Sequence, residues 1–281
     1  VEESIHMTTT NTAAAFADYQ VEAYNTAKDS ENKIHDDTVA KKFGFSGGLV
    51  PGVDIYAYMT HPAVARWGQD WLARGTADCR FIKPVYEGAM ATISAEAIPH
   101  HTNSMAIRVE SAGQLCAEGT VGMPNDAAPV PDLTSYKVAP LPDERPPAAP
   151  GSLPEGALLG TYEINCDGAT EAAYQGDVRE DLPLYAAENL IHPGHLLRFG
   201  NWALTQNVVL GPWIHVGSKV QHFATAHHDA DISIRAKVVK NYERKGHLFV
   251  ELDALVLAQG TRPLAHIEHT AIYQPRQVTE G

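Results

Sequence analysis

A set of residues recurs in this chain at a constant spacing of 142 positions, and this repeat constrains the fold more than any other feature. A spacing of that size indicates two copies of one domain, and 281 residues are enough for two domains of ordinary size. The matched residues are Pro51-Gly52 with Pro193-Gly194, Gly75 with Gly217, Phe81 with Phe223, and Glu87-Gly88 with Asp229-Ala230.

Both copies have the same predicted order of elements. An apolar segment with helical spacing follows each Pro-Gly pair, over residues 53–72 in the first copy and from His195 in the second. Strand-like alternation of apolar and polar residues comes next, and the turn 243–246 joins two of these strands. The predicted strands are 77–81, 91–98 and 105–109 in the first copy, and 219–223, 232–239 and 247–257 in the second.

This order favours one fold class. A long amphipathic helix wrapped by a curled antiparallel sheet buries the apolar faces of both elements. We therefore predict an α+β fold made of two tandem repeats, each a helix wrapped by an antiparallel sheet.

A proline-rich stretch separates the two copies. Residues 124–154 hold nine of the eighteen prolines, and proline at this density favours an extended, unpaired backbone. The six residues before Met7 are typical of an expression tag. We therefore predict a tag remnant at 1–6, an N-terminal repeat at 7–123, a linker at 124–156 and a C-terminal repeat at 157–281.

Chemically reactive side chains concentrate just before the first predicted helix. Residues 29–37 read DSENKIHDD, and a glycine-rich loop, GGLVPG, follows at 47–52. An acid and an imidazole beside the backbone N–H groups of a helix start are what chemistry next to a carbonyl group requires. The same polar residues are also common helix caps, so a capping loop is the structural alternative.

These residues resemble a known family motif. Asn32, Ile34, His35 and Asp37, followed by Val50 and Gly52, resemble the pattern Asp-x-Asn-Pro-(Leu/Ile)-His-x-Asp and Pro-(Ile/Leu)-Val-His-Gly of the MaoC-like, (R)-specific enoyl-CoA hydratases. The resemblance implies a hotdog fold, and two copies in one chain imply the double-hotdog type. It also implies an acyl-thioester hydratase or dehydratase (a lyase) that needs no cofactor and takes an acyl-CoA or acyl-carrier-protein substrate.

The resemblance assigns roles to individual residues. His35 would deprotonate the water, Asp29 would carry the second proton, and the Gly52 N–H would bind the thioester oxygen, while Asn32 would fix the loop or the imidazole. Counted without gaps, however, the family acid falls on Ser30, so Asp29 takes that place only if the chain bulges by one residue. The family proline is Lys33 here, and the family histidine of the loop is Pro51.

The second copy departs further from the motif. Tyr185 stands where the first copy has its histidine, so we expect the C-terminal repeat to be degenerate and structural. His192 and His195 flank the second Pro-Gly pair, and this position allows both side chains to face the cleft of His35.

Two other functions stay open. In hotdog thioesterases a helix carboxylate activates water, and Asp54 in the first turn of the predicted helix is a candidate for that role or for a simple helix-dipole partner. Because Ser30, Lys33 and Pro51 break the motif, a non-catalytic acyl-thioester-binding protein is the third hypothesis.

Composition excludes several classes. A net charge of −13 argues against nucleic acid or an anionic membrane as partner, although Arg80, Lys83 and Arg108 are candidates for carrier phosphates. Three dispersed cysteines and histidines without ligand spacing predict neither disulfides nor a metal site. No membrane-length apolar run or signal peptide is evident, so we expect a cytoplasmic protein, and a homodimer of such chains is possible.

Overall fold

The computed structural model describes residues 16–28 and 30–276, which form ten strands and six α-helices. The predicted tag remnant and Asp29 lie outside the described residues. Within them no helix combines the length and the apolar composition that crossing a bilayer takes.

The strands are β1 (Tyr19–Glu22), β2 (Thr76–Phe81), β3 (Met90–Ile98), β4 (His101–Ser111), β5 (Gln114–Gly122), β6 (Tyr162–Cys166), β7 (Ile214–His222), β8 (Ala230–Arg244), β9 (His247–Ala258) and β10 (Arg262–Gln274). The helices are α1 (Asp37–Lys41), α2 (Gly52–Trp67), α3 (Gln69–Arg74), α4 (Gly168–Asp177), α5 (Leu184–Ala187) and α6 (Pro193–Thr205). Two 3₁₀ turns, Lys33–His35 and Leu133–Ser135, complete the set.

All ten strands belong to one sheet, in the order β1-β3-β4-β5-β2-β7-β10-β9-β8-β6. Each half has the same internal order, and the halves meet where β2 pairs antiparallel with β7. In that pairing Thr76 lies opposite Gln221 and Cys79 opposite Ser218. A shift of 142 positions relates Thr76 to Ser218 and Cys79 to Gln221, so it converts the first pair into the second. The halves are therefore related by an approximate two-fold axis. The predicted α+β fold of two helix-and-sheet repeats is confirmed.

The long helices α2 and α6 bury the apolar face of the sheet. Helix α2 contacts all five strands of the first half as well as β7, and α6 contacts β8, β9 and β10. On β4 every second residue points into this core, and Met105, Ile107 and Val109 are fully buried. Because burial of one such side chain contributes about 1.5–3 kcal/mol, the period-2 pattern fixes the register of the strand against the helix.

The predicted helix at 53–72 is two helices. Helix α2 ends at Trp67, and Gly68 takes a φ of 58° before α3 begins. Glycine adopts this left-handed conformation without the steric cost that other residues meet, so the chain turns there while the apolar spacing continues. The prediction of one uninterrupted helix was wrong at this point.

The chain between β5 and β6 runs along the second half. It forms the isolated bridges Pro147 to Val209 and Leu158 to Lys237, and the Tyr136 hydroxyl donates to Asp253 Oδ1 over 2.8 Å. Residues 124–156 therefore stay our proposed linker, attached along its length by these contacts.

One histidine of β7 is buried in the apolar core. The His222 side chain is 1% exposed, packs edge-on against Trp71, and has no hydrogen bond at either ring nitrogen among the described residues. Burial alone lowers the pKa of His222 to about 4.

We expect this histidine to make the fold less stable in acid. The unfolded chain binds a proton near pH 6.5 and the folded chain only near pH 4, so stability is lost as the pH falls through that interval. At pH 5 the loss from this residue is about 2 kcal/mol. Urea unfolding gives the free energy of unfolding at pH 7.5 and at pH 5. The difference between these two free energies should be smaller by that amount in His222→Leu than in the wild type. The exposed His227→Gln variant is the control, and an unchanged difference in His222→Leu would contradict this account.

Candidate active site

The 3₁₀ turn that carries His35 is held by a small apolar cluster of its own. Ile34, at 1% exposure, packs with Ala40 and Leu49, and Ile214 of the second half closes the cluster. The side chain of Asp36 caps α1 by accepting from the Thr38 and Val39 N–H groups. Part of the polar run therefore does act as a cap, and the capped turn in turn positions His35.

Hydrogen bonds fix the tautomer of His35. Its Nδ1 lies 2.6 Å from the Leu49 carbonyl oxygen, which only accepts, so Nδ1 carries the proton. The lone pair is therefore on Nε2, which accepts from Asn32 Nδ2 over 3.3 Å. Burial lowers the pKa of His35, so the ring is neutral at neutral pH. The 3.3 Å contact from Asn32 is long, and a neutral imidazole that exchanges it for the proton of a bound water is suited to act as a general base.

Asn32 links the two repeats. Its Oδ1 accepts from the Trp213 N–H over 3.1 Å and from the Ile34 N–H over 3.3 Å. Its Nδ2 donates to the Trp213 carbonyl over 3.0 Å as well as to His35. The amide orientation is thereby set by the backbone of the second half, and Asn32 holds the imidazole against that half.

Gly52 begins α2 at the seam between the halves. Its N–H has no hydrogen-bond acceptor among the described residues, and the positive end of the helix dipole lies there. A Cβ at this position would lie 3.0 Å from His215 Nδ1 and 3.1 Å from the Phe81 ring. The counterpart Gly194 N–H donates instead to the side chain of His192 over 3.0 Å. Of these two equivalent backbone donors, the one in the second half is therefore already hydrogen-bonded within the protein.

Three cavities include His35 in their lining, and two of them are lined by residues of both repeats. The first of these two, of about 310 Å³, is mainly apolar and is lined by Gly52 and Phe81, whereas the second, of about 330 Å³, is lined by polar side chains that include Ser30 and Arg145. Five residues line both, namely Asn32, His35, Pro51, Asn201 and Trp213. His35 and Gly52 thus lie together on the wall of one apolar cavity.

The second repeat contributes residues that the sequence did not single out. Asn201 of α6, and Trp213 and His215 at the start of β7, all line the apolar cavity. None belongs to the family motif, and their positions depend on how β7 pairs with β2. Only a model of that pairing would have found them.

The place of the family acid has only one described candidate. Asp29 lies outside the described residues, and Ser30 lines the polar cavity beside His35. The Ser30 hydroxyl is 3.4 Å from the Asn32 carbonyl oxygen. The backbone carbonyl of Ser30 accepts from Lys33 Nζ over 3.0 Å. Glu31 also lines this cavity, where its carboxylate forms an ion pair with Arg145 at 3.1 Å.

Asp54 does not face either cavity. Its side chain is fully buried, and its two oxygens accept from Arg198 over 2.9 Å and from the Thr26 hydroxyl over 2.6 Å. The Arg198 guanidinium also lies 4.3 Å above the Tyr174 ring. The carboxylate therefore joins α2 to α6 as an ion pair, a role that leaves it without room for water.

The corresponding region of the second repeat is filled by a buried network. His195 Nδ1 lies 2.5 Å from Glu171, and His192 Nε2 lies 3.2 Å from Glu180. Tyr185 packs against the His192 ring with centroids 4.8 Å apart. None of these side chains lines the two cavities, so His192 and His195 do not share the cleft of His35.

The other charged candidates lie outside the site or at its rim. Arg80 pairs with Glu118, and Arg108 lies 3.7 Å from Glu110. Lys83 lines the apolar cavity where it is exposed and donates to Gln114 over 2.7 Å. Among the described residues one group, His61 with Glu180 and Asp181, has ligand atoms within 4.8 Å of one another, away from both cavities.

Comparisons with known proteins support the fold. No family model and no curated protein sequence matches the chain. A double-hotdog protein from Mycobacterium tuberculosis aligns with a TM-score of 0.60 at 13% identity, over 92% of this chain and 96% of its own. A protein from Chloroflexus aurantiacus described as a MaoC-domain dehydratase gives 0.58 at 11%, over 94% and 95%. One from Lactobacillus plantarum described as an oleoyl thioesterase gives 0.53 at 10%, over 95% and 99%.

At these identities the similarity establishes the fold and leaves the reaction open. The resemblance to double-hotdog MaoC-like dehydratases is confirmed at that level, and thioesterases share the same architecture. The chain is a double-hotdog protein with the fold of MaoC-like dehydratases.

Proposed function

We propose that the protein adds water reversibly to an enoyl thioester at the apolar cavity. The observation that carries the proposal is the pairing of a neutral His35 with a fixed Nε2 lone pair and a Gly52 N–H without an acceptor, both on the wall of that cavity. This addition requires a base that activates water and a helix-terminal donor that stabilises the developing enolate of the thioester. The thioester carrier is coenzyme A or a carrier protein.

Each group has a defined part in the reaction. His35 takes a proton from water, whose oxygen forms a bond to the β-carbon of the enoyl group. Charge moves to the thioester oxygen, where the Gly52 N–H stabilises it. The α-carbon then takes up a proton, which we assign to Asp29 as donor by the family resemblance. Water is consumed, no bond to sulfur breaks, and the reverse sequence is the dehydration.

Hydrolysis of the thioester is the competing reaction, since thioesterases share this fold. Its sequence candidate, Asp54, is fully buried and held by Arg198 and Thr26. A carboxylate in that setting neither attacks a thioester nor activates a water, so this geometry supports the hydratase over a thioesterase that works through Asp54.

Crotonyl-CoA separates the three functions. We expect the conjugated enoyl absorbance to decay without release of free thiol, because hydration leaves the thioester intact. Thiol release that Asp54→Asn abolishes would replace the proposal with a thioesterase. No change of either kind with a series of enoyl chain lengths would leave a binding protein.

The same assay locates the acid. Asp29→Asn should lower turnover at least about a hundredfold, as loss of a general acid or base typically does. Ser30→Ala is the matched control at the gap-free position and should stay within a few-fold of the wild type. The opposite result would move the acid to position 30 and remove Asp29 from the mechanism.

A further inference from the structure

Two residues that line the apolar cavity each carry a buried polar atom that the reaction above does not use. Asn201 Oδ1 and His215 Nδ1 are both inaccessible to solvent and have no hydrogen-bond partner among the described residues. Both residues line the cavity, and His215 is only 6% exposed. A buried polar atom without a partner costs free energy, and at the wall of a cavity a bound ligand can supply the missing partner.

His215 is built into a chain of hydrogen bonds. Its Nε2 lies 2.8 Å from the Ser218 hydroxyl, which lies 3.0 Å from His269 Nδ1, and the two imidazole rings stack with centroids 4.2 Å apart. The serine hydroxyl has one proton, so it donates to one ring and accepts from the other. Moving the protons along the chain changes His215 Nδ1 from acceptor to donor.

Glycines on both sides make room for these rings. A Cβ at Gly52 would lie 3.0 Å from His215 Nδ1, and a Cβ at Gly200 would lie 2.9 Å from His269 Nδ1. Gly200 directly precedes Asn201 on α6. The second repeat thus holds a polar pair, Asn201 with His215, against the start of α2.

The chemistry of the pair limits what it binds. Burial and the neighbouring His269 lower the pKa of His215 far below its usual value, so the ring is neutral. A carboxylate or a ketone only accepts, so it would require the Asn201 amide to turn its Nδ2 toward the ligand, whereas a donor fits Oδ1 as it stands. A hydroxyl has one proton, so it donates to Asn201 Oδ1 and accepts from His215 Nδ1 in the tautomer that carries the proton there.

Building on the proposed function, we propose that the acyl group held in the apolar cavity carries a hydroxyl on its chain, bound by Asn201 and His215. The preferred substrates are then hydroxylated acyl thioesters, and simple fatty ones such as crotonyl-CoA bind and react less efficiently. A site built to bond a hydroxyl rejects the analogue that lacks it far more strongly than an apolar pocket rejects an extra methyl group.

Binding of non-reactive ligands tests the pair without relying on catalysis. Saturated acyl-CoAs with a hydroxyl at C4, C5 or C6 are each compared with the acyl-CoA that carries a methyl group at that carbon. We expect the wild type to bind the hydroxylated member at least about tenfold more tightly at one of these positions, and Asn201→Leu to remove that preference. Gln206→Leu is the matched control, since Gln206 lies on the same chain segment but lines only the polar cavity.

Ser218→Ala provides a second variant that keeps both cavity side chains. It removes the partner of His215 Nε2 and should weaken the preference while Asn201 stays in place. If Asn201→Leu does not fold, this variant decides. Equal affinity for both members of every pair in the wild type, or an unchanged preference in the folded variants, would overturn the proposal.

The outcome is independent of the hydratase assay. A hydroxyl preference without turnover of any enoyl thioester would keep the recognition pair and reject the hydratase. Turnover of plain and hydroxylated enoyl-CoAs with the same kcat/KM, and equal binding, would keep the hydratase and reject the recognition pair.

Discussion

Turnover of crotonyl-CoA is expected to fall at least about a hundredfold when His35 is replaced by asparagine, while the folded structure is retained. The asparagine amide can place a donor near the position of Nδ1 and so keep the bond to the Leu49 carbonyl. It has no atom at the position of Nε2, so the general base is lost while the loop keeps its conformation. The wild-type rate should decline only below about pH 6.5, because burial lowers the pKa of His35 from that value.

His35→Ala is the comparison that separates catalysis from stability. It removes the hydrogen bond to Leu49 as well, so the free energy of unfolding should drop by about 1–2 kcal/mol relative to His35→Asn. Both variants should be equally inactive. Undiminished turnover in His35→Asn would remove His35 from the mechanism.

The second large effect is expected at the paired glycines. In Gly52→Ala the new methyl group would lie 3.0–3.1 Å from His215 and Phe81, at the N–H that we assign to the thioester oxygen. Relief of these contacts takes shifts of a few tenths of an ångström, and because a displacement of about 1 Å costs on the order of a hundredfold in rate, we expect a loss of about tenfold. Alanine suits a helix start, so we expect kcat to fall with little change in Tm.

Gly194→Ala should behave in the opposite way. Its methyl group would lie 2.7 Å from the Ala57 Cβ of the neighbouring helix and closer still to the Tyr174 hydroxyl, so α2 and α6 must separate. Overpacking of this kind typically costs about 1–3 kcal/mol. Thermal unfolding and steady-state kinetics of both variants measure the contrast. Equal losses of activity at the two glycines would contradict the assignment of chemistry to the first repeat.

The sequence predicted the fold because its repeat is visible in residues that the architecture requires. The Pro-Gly pairs begin α2 and α6, and the predicted turn at 243–246 joins β8 to β9. The break at Gly68 was missed because apolar spacing continues across it, and only the φ of 58° reveals the turn. Helix α4 was missed because it has few large apolar residues, and only Glu171 and Tyr174 of it are buried.

The site was predictable only in its first half. Asn32, His35 and Gly52 come together as the family motif implies, since they are close in sequence and joined by local bonds. Asn201 and His215 come from the second repeat, and their place depends on the pairing of β2 with β7 and on the packing of α6. No local pattern encodes that arrangement.

The structure of His35→Asn bound to butyryl-CoA, a saturated ligand that is not hydrated, tests the central claim most directly. We predict the thioester oxygen within about 3 Å of the Gly52 nitrogen and the acyl chain in the apolar cavity beside Asn201 and His215. The β-carbon should lie next to residue 35. A thioester bound in the polar cavity, or against Asp54 with the Gly52 N–H unengaged, would contradict the account.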